Sequence, residues 1–521
     1  MNQCKFEEKY FDFEKNHTDI FHCKENSEKE FCVLHDQNSQ SKQKLEIFNK
    51  KLKIATESSE PLFLIGCHLP NIVINQKFSR PVYFTKSKIG SINCTNSNFK
   101  EVDFSGCHIE GQADFSKTIF LLSDFLKAIF NGNVIFKGAK FPNGVNFSGS
   151  SFNGLADFSD SKLVGPIFIG VEFQKIDFSL SEIESGEFLQ TRIHKNANFI
   201  GSKIYKTTFE QSIFEMDVDF TGSEIKRSDF TNTQFESANF SESTLEINTY
   251  TKTRFKKIAN FERSKFEKVE FIATVIEGNV NFTESGFQDV GFAKTKFLKK
   301  ANFTKSYFNQ KANFKFCEFA TALFDEVKFE TKAEFNFSKF FELASFKETV
   351  FEEVDFSNSE FSHRVLFFNT EFKEFTKFHN ILFENPKHVL FDVKNLSNVS
   401  FLNTDISKIR FGENIKWGPK NDFTLIDYAN IENKSESEIE SVLAESRSLR
   451  ENFERRFRDE DAQKILEHEI ILEQKLKKNQ INDPKVEVEK KLIELNRKYY
   501  DLKNEKELLE KKFKEKFSKE S

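Results

Sequence analysis

The chain has 521 residues and a formal net charge of −5, with 68 phenylalanines set against one tryptophan and two methionines. So small a net charge excludes a strongly basic nucleic-acid binder, and no apolar run reaches the eighteen or more residues that a membrane-spanning helix requires. No charged-then-apolar leader opens the chain, and its seven cysteines are odd in number and widely spread, so a cytoplasmic protein without a disulfide framework is expected.

Residues 1–40 read as a small separate unit. Cys4, Cys23, Cys32 and His35 follow the spacing C-x18-C-x8-C-x2-H. Thiolates and imidazole suit tetrahedral zinc, and a close Cys-x2-His pair is a usual half-site, so these four are candidate ligands of a structural zinc. The competing reading is three unrelated thiols and a surface histidine. Residues 41–75 are expected to cap the segment that follows, because the end of a repeat array exposes unpaired strand backbone. In that cap Leu45, Phe48, Leu52 and Ile54 fall on one side of a short helix. Pro61 to Gly66 reads as a buried extended segment, and Cys67 as a buried structural thiol.

From Phe78 to Phe383 a large residue returns at a nearly fixed interval: Phe78, Phe84, Ile89, Cys94, Phe99, Phe104, Ile109, Phe115 and onward. Of the 58 spacings, 43 are five residues and 15 are six. A helical stripe recurs at three and four and a strand alternates at two, so this period marks a solenoid. Numbered from zero at Phe78, every six-residue spacing ends on an odd-numbered position, among them Phe115, Phe136, Phe147 and Phe199. Neighbouring positions therefore differ and alternate ones are alike, as in a four-sided coil that admits an extra residue at one of two opposite corners. Reading by fours gives one unbroken ladder: Phe115, Phe136, Phe158, Phe178, Phe199, Phe220, Phe240, Phe261, Phe282, Phe303, Phe324, Phe346 and Phe367.

Two places before many of these residues stands Ala, Val or Ser, followed by Asp or Asn, as in Ala113-Asp114-Phe115, Ala197-Asn198-Phe199 and Ala301-Asn302-Phe303. This resembles the pentapeptide-repeat family, whose motif is A-(D/N)-(L/F)-x-x. The resemblance implies an all-β solenoid, a right-handed quadrilateral β-helix. Side chains two apart on an extended segment share a face, so Phe and the small residue both point inward. Extending the period through Phe391, Leu396, Phe401, Ile406 and Phe411 gives about sixteen coils over residues 76–415, a rod roughly 75–80 Å long at strand spacing. The segment Phe31 to His35 is similar to N-terminal Cys/His knuckles that precede the repeats in some multidomain relatives.

Near Glu384 to Lys387 the period stretches to eight, which marks a loop, and Trp417-Gly418-Pro419 ends the solenoid. Ser435 and Ser437 each precede a Glu by three, offering capping boxes. Val442, Leu443, Leu449, Phe453 and Phe457 then recur at helical spacing, and Ala462, Ile465, Leu466, Ile470 and Leu472 continue a second helix. Residues 435–480 resemble the helical hairpin that follows the repeats in many relatives. In residues 485–521 a long helix carries Leu492, Leu495, Tyr499, Leu502 and Leu509 as an approximate heptad seam, expected to form a coiled coil. The bland alternative is a solvated helix packed on its own rod.

No catalytic constellation stands out. Carboxylates before Phe recur because the turn uses them, His108, His194, His363, His379 and His388 are scattered, and no glycine-rich phosphate loop is present. The chain is expected to be a non-enzymatic rigid scaffold for a protein partner, with homo-oligomerisation through the C-terminal helix and no cofactor beyond the candidate zinc. The resemblance also carries an alternative, because some pentapeptide-repeat proteins mimic duplex DNA and bind topoisomerases. That role needs a strongly negative rod, and Phe78 to Phe411 holds 41 Lys and Arg against 43 Asp and Glu. Lys294, Lys296, Lys299, Lys300 and Lys305 read as a solvated face rather than a nucleic-acid stripe.

Overall fold

The computed structural model of the chain describes residues 33–38, 40–57, 61–418, 423, 425–429, 431–478, 491–499, 502, 503 and 506. Short strands run from Leu62–Phe63 to Arg410–Phe411, and each pairs in parallel with the strand about one coil further on. Ala113, for example, pairs with Val134 and Val134 with Ala156. The fold is an all-β solenoid with C-terminal helices.

Phenylalanine fills the tube in two central ladders. The first is the run from Phe115 to Phe367, whose rings are buried and stack face to face with centroids 4.6–5.3 Å apart. It continues to Phe391 at 4.5 Å. The second runs from Phe84 to Phe401 with Tyr250 as its one non-Phe ring, at spacings of 4.6–5.4 Å. The two ladders meet edge to face along the axis, as Phe261 meets Phe271 at 5.8 Å. Burying each ring contributes about 2–3 kcal/mol, and each aromatic pair adds about 0.5–1.5 kcal/mol.

After nearly every residue of these two ladders the chain closes a tight turn. The N–H of Ser264 donates to the carbonyl of Phe261 at 3.2 Å, and the residue between them, Arg263, is left-handed at φ 54°. Gly201 and Gly222 take the same conformation at φ 64° and 65° without the Cβ clash that an L side chain meets there. A closed turn has a fixed length, so an extra residue cannot enter after these rings. It enters instead on the open sides, as β-bulges between Phe152 and Leu155 and between Phe214 and Asp217. This is the physical origin of the all-odd six-residue spacings.

Polar side chains hold the turns. The Asp or Asn before a ladder residue accepts from the N–H two places on, as Asp219 Oδ1 does from Thr221 at 2.9 Å. The residue three past the ring is most often a buried Ser or Thr whose hydroxyl donates to the ring's carbonyl in the preceding coil. Ser264 bonds Phe240 O at 2.6 Å and Ser285 bonds Phe261 O at 2.6 Å. Cys107 and Cys317 occupy this place and turn their thiols to Phe84 O and Phe292 O.

The first coil begins earlier than expected. Leu62–Phe63, His68–Leu69 and Ile72–Val73 pair in parallel with the next coil, so residues 62–75, expected within the cap, are solenoid. Leu64, Leu69 and Ile74 fill its core with aliphatic side chains, and the interval from Ile74 to Phe78 is only four residues, which hid the repeat. Helix α1 (Ser41–Glu57) covers this coil with Phe48 fully buried. Its packed stripe is Leu45, Phe48, Leu52 and Ala55. Ile54, expected in the stripe, is 53% exposed because two residues past Leu52 is the far side of a helix.

Candidate interaction surfaces

The last coil would leave strand backbone unpaired, and helix α2 (Glu436–Glu454) satisfies it with side chains. Ser435 opens α2 with a capping box closed by Glu438. From α2, Glu445 Oε1 accepts from the Phe401 N–H at 2.6 Å and Ser448 Oγ from the Ile406 N–H at 2.8 Å. Asn452 Nδ2 donates to the carbonyls of Ile406 and Ile409 at 2.7 and 2.8 Å. Arg456, just past the helix, donates to the Phe411 carbonyl at 2.8 Å. Trp417 is buried with its ring edge-on to Phe411 at 5.1 Å and to Phe453 at 6.0 Å. Helix α3 (Asp459–Lys478) packs on α2, where Arg450 pairs with the buried Glu469 at 2.8 Å. Phe457, expected on the apolar face of α2, is 92% exposed. It lies in the turn between the helices with a left-handed φ of 58°, which points it away from the helix face.

A buried acid pair lies in this joint. Burial, and then the neighbouring Asp427 carboxylate, push the Glu445 carboxyl well above its ordinary range, while burial raises Asp427. His379 Nε2 lies 2.6 Å from Ser400 Oγ beside this pair, and burial lowers the His379 pKa. Folded Glu445 holds its proton above the ordinary 4.5 of the unfolded side chain. The native chain then binds more protons than the unfolded chain, and Glu445's contribution to stability is lost as pH rises from 4.5 through the folded pKa. His379 acts in the opposite sense, costing stability as pH falls through its ordinary 6.5. Glu445→Gln keeps the acceptor for Phe401 and removes the proton. We expect its melting temperature to rise relative to the parent between pH 5 and pH 8, measured as a difference at each pH so that His379 cancels. A constant difference would show that Glu445 is not buried as an acid.

The C-terminal seam is largely exposed to solvent. Residues 491–499, 502, 503 and 506 are helical, and Leu492, Leu495, Tyr499 and Leu502 are 60%, 66%, 64% and 63% exposed. Leu509 lies outside the described residues. Lys503 reaches Asp459 at the start of α3, 3.7 Å away. A cavity of about 540 Å³ separates the hairpin from this helix, lined among others by Leu443, Leu466, Leu492 and Ile493.

At the other end, Cys4, Cys23 and Cys32 lie outside the described residues. His35 turns Nε2 toward the Ile65 carbonyl at 2.9 Å and lies 3.7 Å from the buried Cys67 thiol. Among the described residues no group of three or more His, Cys, Asp or Glu side chains is placed to hold a metal ion, and no helix is long and apolar enough to cross a membrane.

Along the rod, charged side chains pair between coils, as in Lys162–Glu182 at 2.7 Å, Lys296–Glu318 at 2.9 Å and Lys339–Glu360 at 2.8 Å. Such exposed pairs are screened by solvent and add little to stability. Two phenylalanines that sequence reasoning passed over, Phe316 and Phe337, stack on one corner at 5.0 Å, each 49% exposed and left-handed. Their signal was available, since both stand two places off the repeat, where a large residue cannot point inward.

Family profiles described as pentapeptide repeats match residues 95–140 and 115–162 in one nine-copy form and 216–246 in an eight-copy form. No curated protein matches the chain in sequence. Among solved structures, one similar chain is HetL, a pentapeptide repeat protein involved in heterocyst differentiation regulation from the cyanobacterium Nostoc sp. strain PCC 7120. It is 11% identical, covering 45% of this chain and 90% of that one, with a TM-score of 0.24. Another is full-length QnrB1, a plasmid-mediated fluoroquinolone resistance protein, 12% identical over 48% of this chain and 93% of that one, with a TM-score of 0.12. Superpositions this poor carry no weight, and the assignment rests on the repeat profiles and on the parallel, coil-to-coil strand register. The chain folds as a pentapeptide-repeat β-solenoid with helices at its C-terminal end.

Proposed function

We propose that the protein is a non-enzymatic scaffold, a rigid rod that presents ladders of Lys, Glu, Ser and Thr to a protein partner and is gathered into assemblies by its C-terminal helix. The observation that carries this reading is the exposed seam of Leu492, Leu495, Tyr499 and Leu502. An apolar stripe at heptad spacing on a charged helix suits a second helix better than a flat sheet. Leu509 extends the seam in sequence. The paired charges along the rod support a protein-binding role over mimicry of duplex DNA, since mimicry depends on an unbroken negative field. Leu495→Asp with Leu502→Asp in the full chain is expected to reduce the sedimentation coefficient to that of one rod. An unchanged coefficient would remove the seam from assembly.

A further inference from the structure

The column of residues that precedes the first ladder changes character toward its C-terminal end. It holds Asn239, Asn260, Asn281 and Asn302 in register, then Leu323, Ser345, Leu366, Leu390 and Arg410. The acidic and amide side chains that elsewhere hold the turn are gone from this stretch. Beside it, the eight-residue interval between Phe383 and Phe391 is taken up by a short 3-10 turn, Pro386–His388, tied down where Asn385 Nδ2 donates to the Ser362 carbonyl at 2.5 Å. Val365 pairs with Val389, which sets Arg364 beside His388. The turn brings the His388 ring to 5.4 Å from that of His363.

The result is a cavity of about 330 Å³ lined by His363, Arg364, Leu366, His388, Leu390 and Arg410, a size within the usual range for small-molecule sites. Two arginines and two histidines make up four of the six lining residues. The Arg364 and Arg410 guanidinium groups have no ion-pair or side-chain hydrogen-bond partner among the described residues. One neighbouring carboxylate has its own partner in the adjacent coil. Glu342 accepts from Thr321 Oγ1 at 2.8 Å. Positive charge continues past the cavity, for Arg456 has its pKa lowered by burial and then by Arg410 and Arg458. Elsewhere on the rod, cations such as Lys296 and Lys339 are paired between coils. This corner is built the other way.

We propose that this cavity binds a small phosphate ester, with the phosphate held by Arg364, Arg410, His363 and His388 and the apolar part of the ligand resting on Leu366 and Leu390. Planar guanidinium groups match phosphate oxygens in pairs, which makes two unpaired arginines facing one cavity a fit for that anion. The leucine floor offers an apolar surface that inorganic phosphate would leave unused. The test is calorimetric titration of the full chain with phenyl phosphate and with inorganic phosphate, at an ionic strength held constant with chloride. Phenyl phosphate is expected to bind saturably and several-fold more tightly than inorganic phosphate. Arg364→Gln and Arg410→Gln, both at exposed positions outside the core, should each weaken it at least tenfold with unchanged circular dichroism. Lys140→Gln, an exposed lysine on a distant coil, should leave binding as it was. No saturable binding, or equal binding by the arginine variants, would overturn the site. Equal affinity for the two phosphates would overturn the role of the leucine floor.

Discussion

Phe261→Ala is expected to destabilise the solenoid by about 3–5 kcal/mol, the range for deleting a fully buried aromatic ring that its surroundings cannot close over. Phe261 is fully buried, stacked between Phe240 at 4.9 Å and Phe282 at 5.0 Å, and it meets Phe271 of the second ladder edge-on. Collapse is resisted because the backbone on both sides is fixed by coil-to-coil hydrogen bonds and by the Ser285 hydroxyl on the Phe261 carbonyl. Stability in a solenoid is carried by neighbouring interfaces, so the loss should divide the array at this coil. Chemical denaturation followed by hydrogen exchange checks it. The expected result is lowered protection centred on residues 240–282, and uniform protection with a loss below about 1 kcal/mol would contradict the ladder's role.

Asn452→Ala should have the second largest effect. The Asn452 amide donates to two carbonyls of the last coil, Ile406 O and Ile409 O, and the residue is 1% exposed. Ile409 O keeps the Arg456 guanidinium and Ile406 O keeps the Ile409 N–H, so alanine removes two hydrogen bonds without orphaning either carbonyl, a loss of about 1–3 kcal/mol in all. The loss should be local, because this helix closes the open edge of the rod rather than its interior. Hydrogen exchange is expected to rise in the final coils near Phe401 and Phe411 and in α2, with the ladder around Phe261 unchanged. Unchanged exchange at the rod end would show that the helix does not hold that edge.

The sequence carried the repeat and the ladder residues in its spacing, because a five-residue period fixes which side chains face one another. The parity of the long intervals already showed that two kinds of corner exist. What it did not reveal is which kind is rigid, since left-handed residues such as Arg263 and Lys305 have no sequence signature of their own when they are not glycine. The buried hydroxyls at Ser264 and Ser285 were also legible in principle, three places past each ladder ring, but a small polar residue in a turn normally faces water. Residues 62–75 look like part of a cap in the sequence because Leu64, Leu69 and Ile74 carry the repeat without phenylalanine. The cavity around Arg364 and Arg410 was beyond reach, because it depends on a loop folding His388 back over His363. The sequence registered that loop only as an interval of eight.

The scaffold reading turns most directly on whether the C-terminal helix gathers rods. Light scattering of the full chain beside a chain ending at Pro484 decides it. The account predicts a mass of at least two chains for the full protein and of one chain for the shortened form, whose rod and helical hairpin are otherwise intact. Identical single-chain masses for both would contradict assembly through the seam.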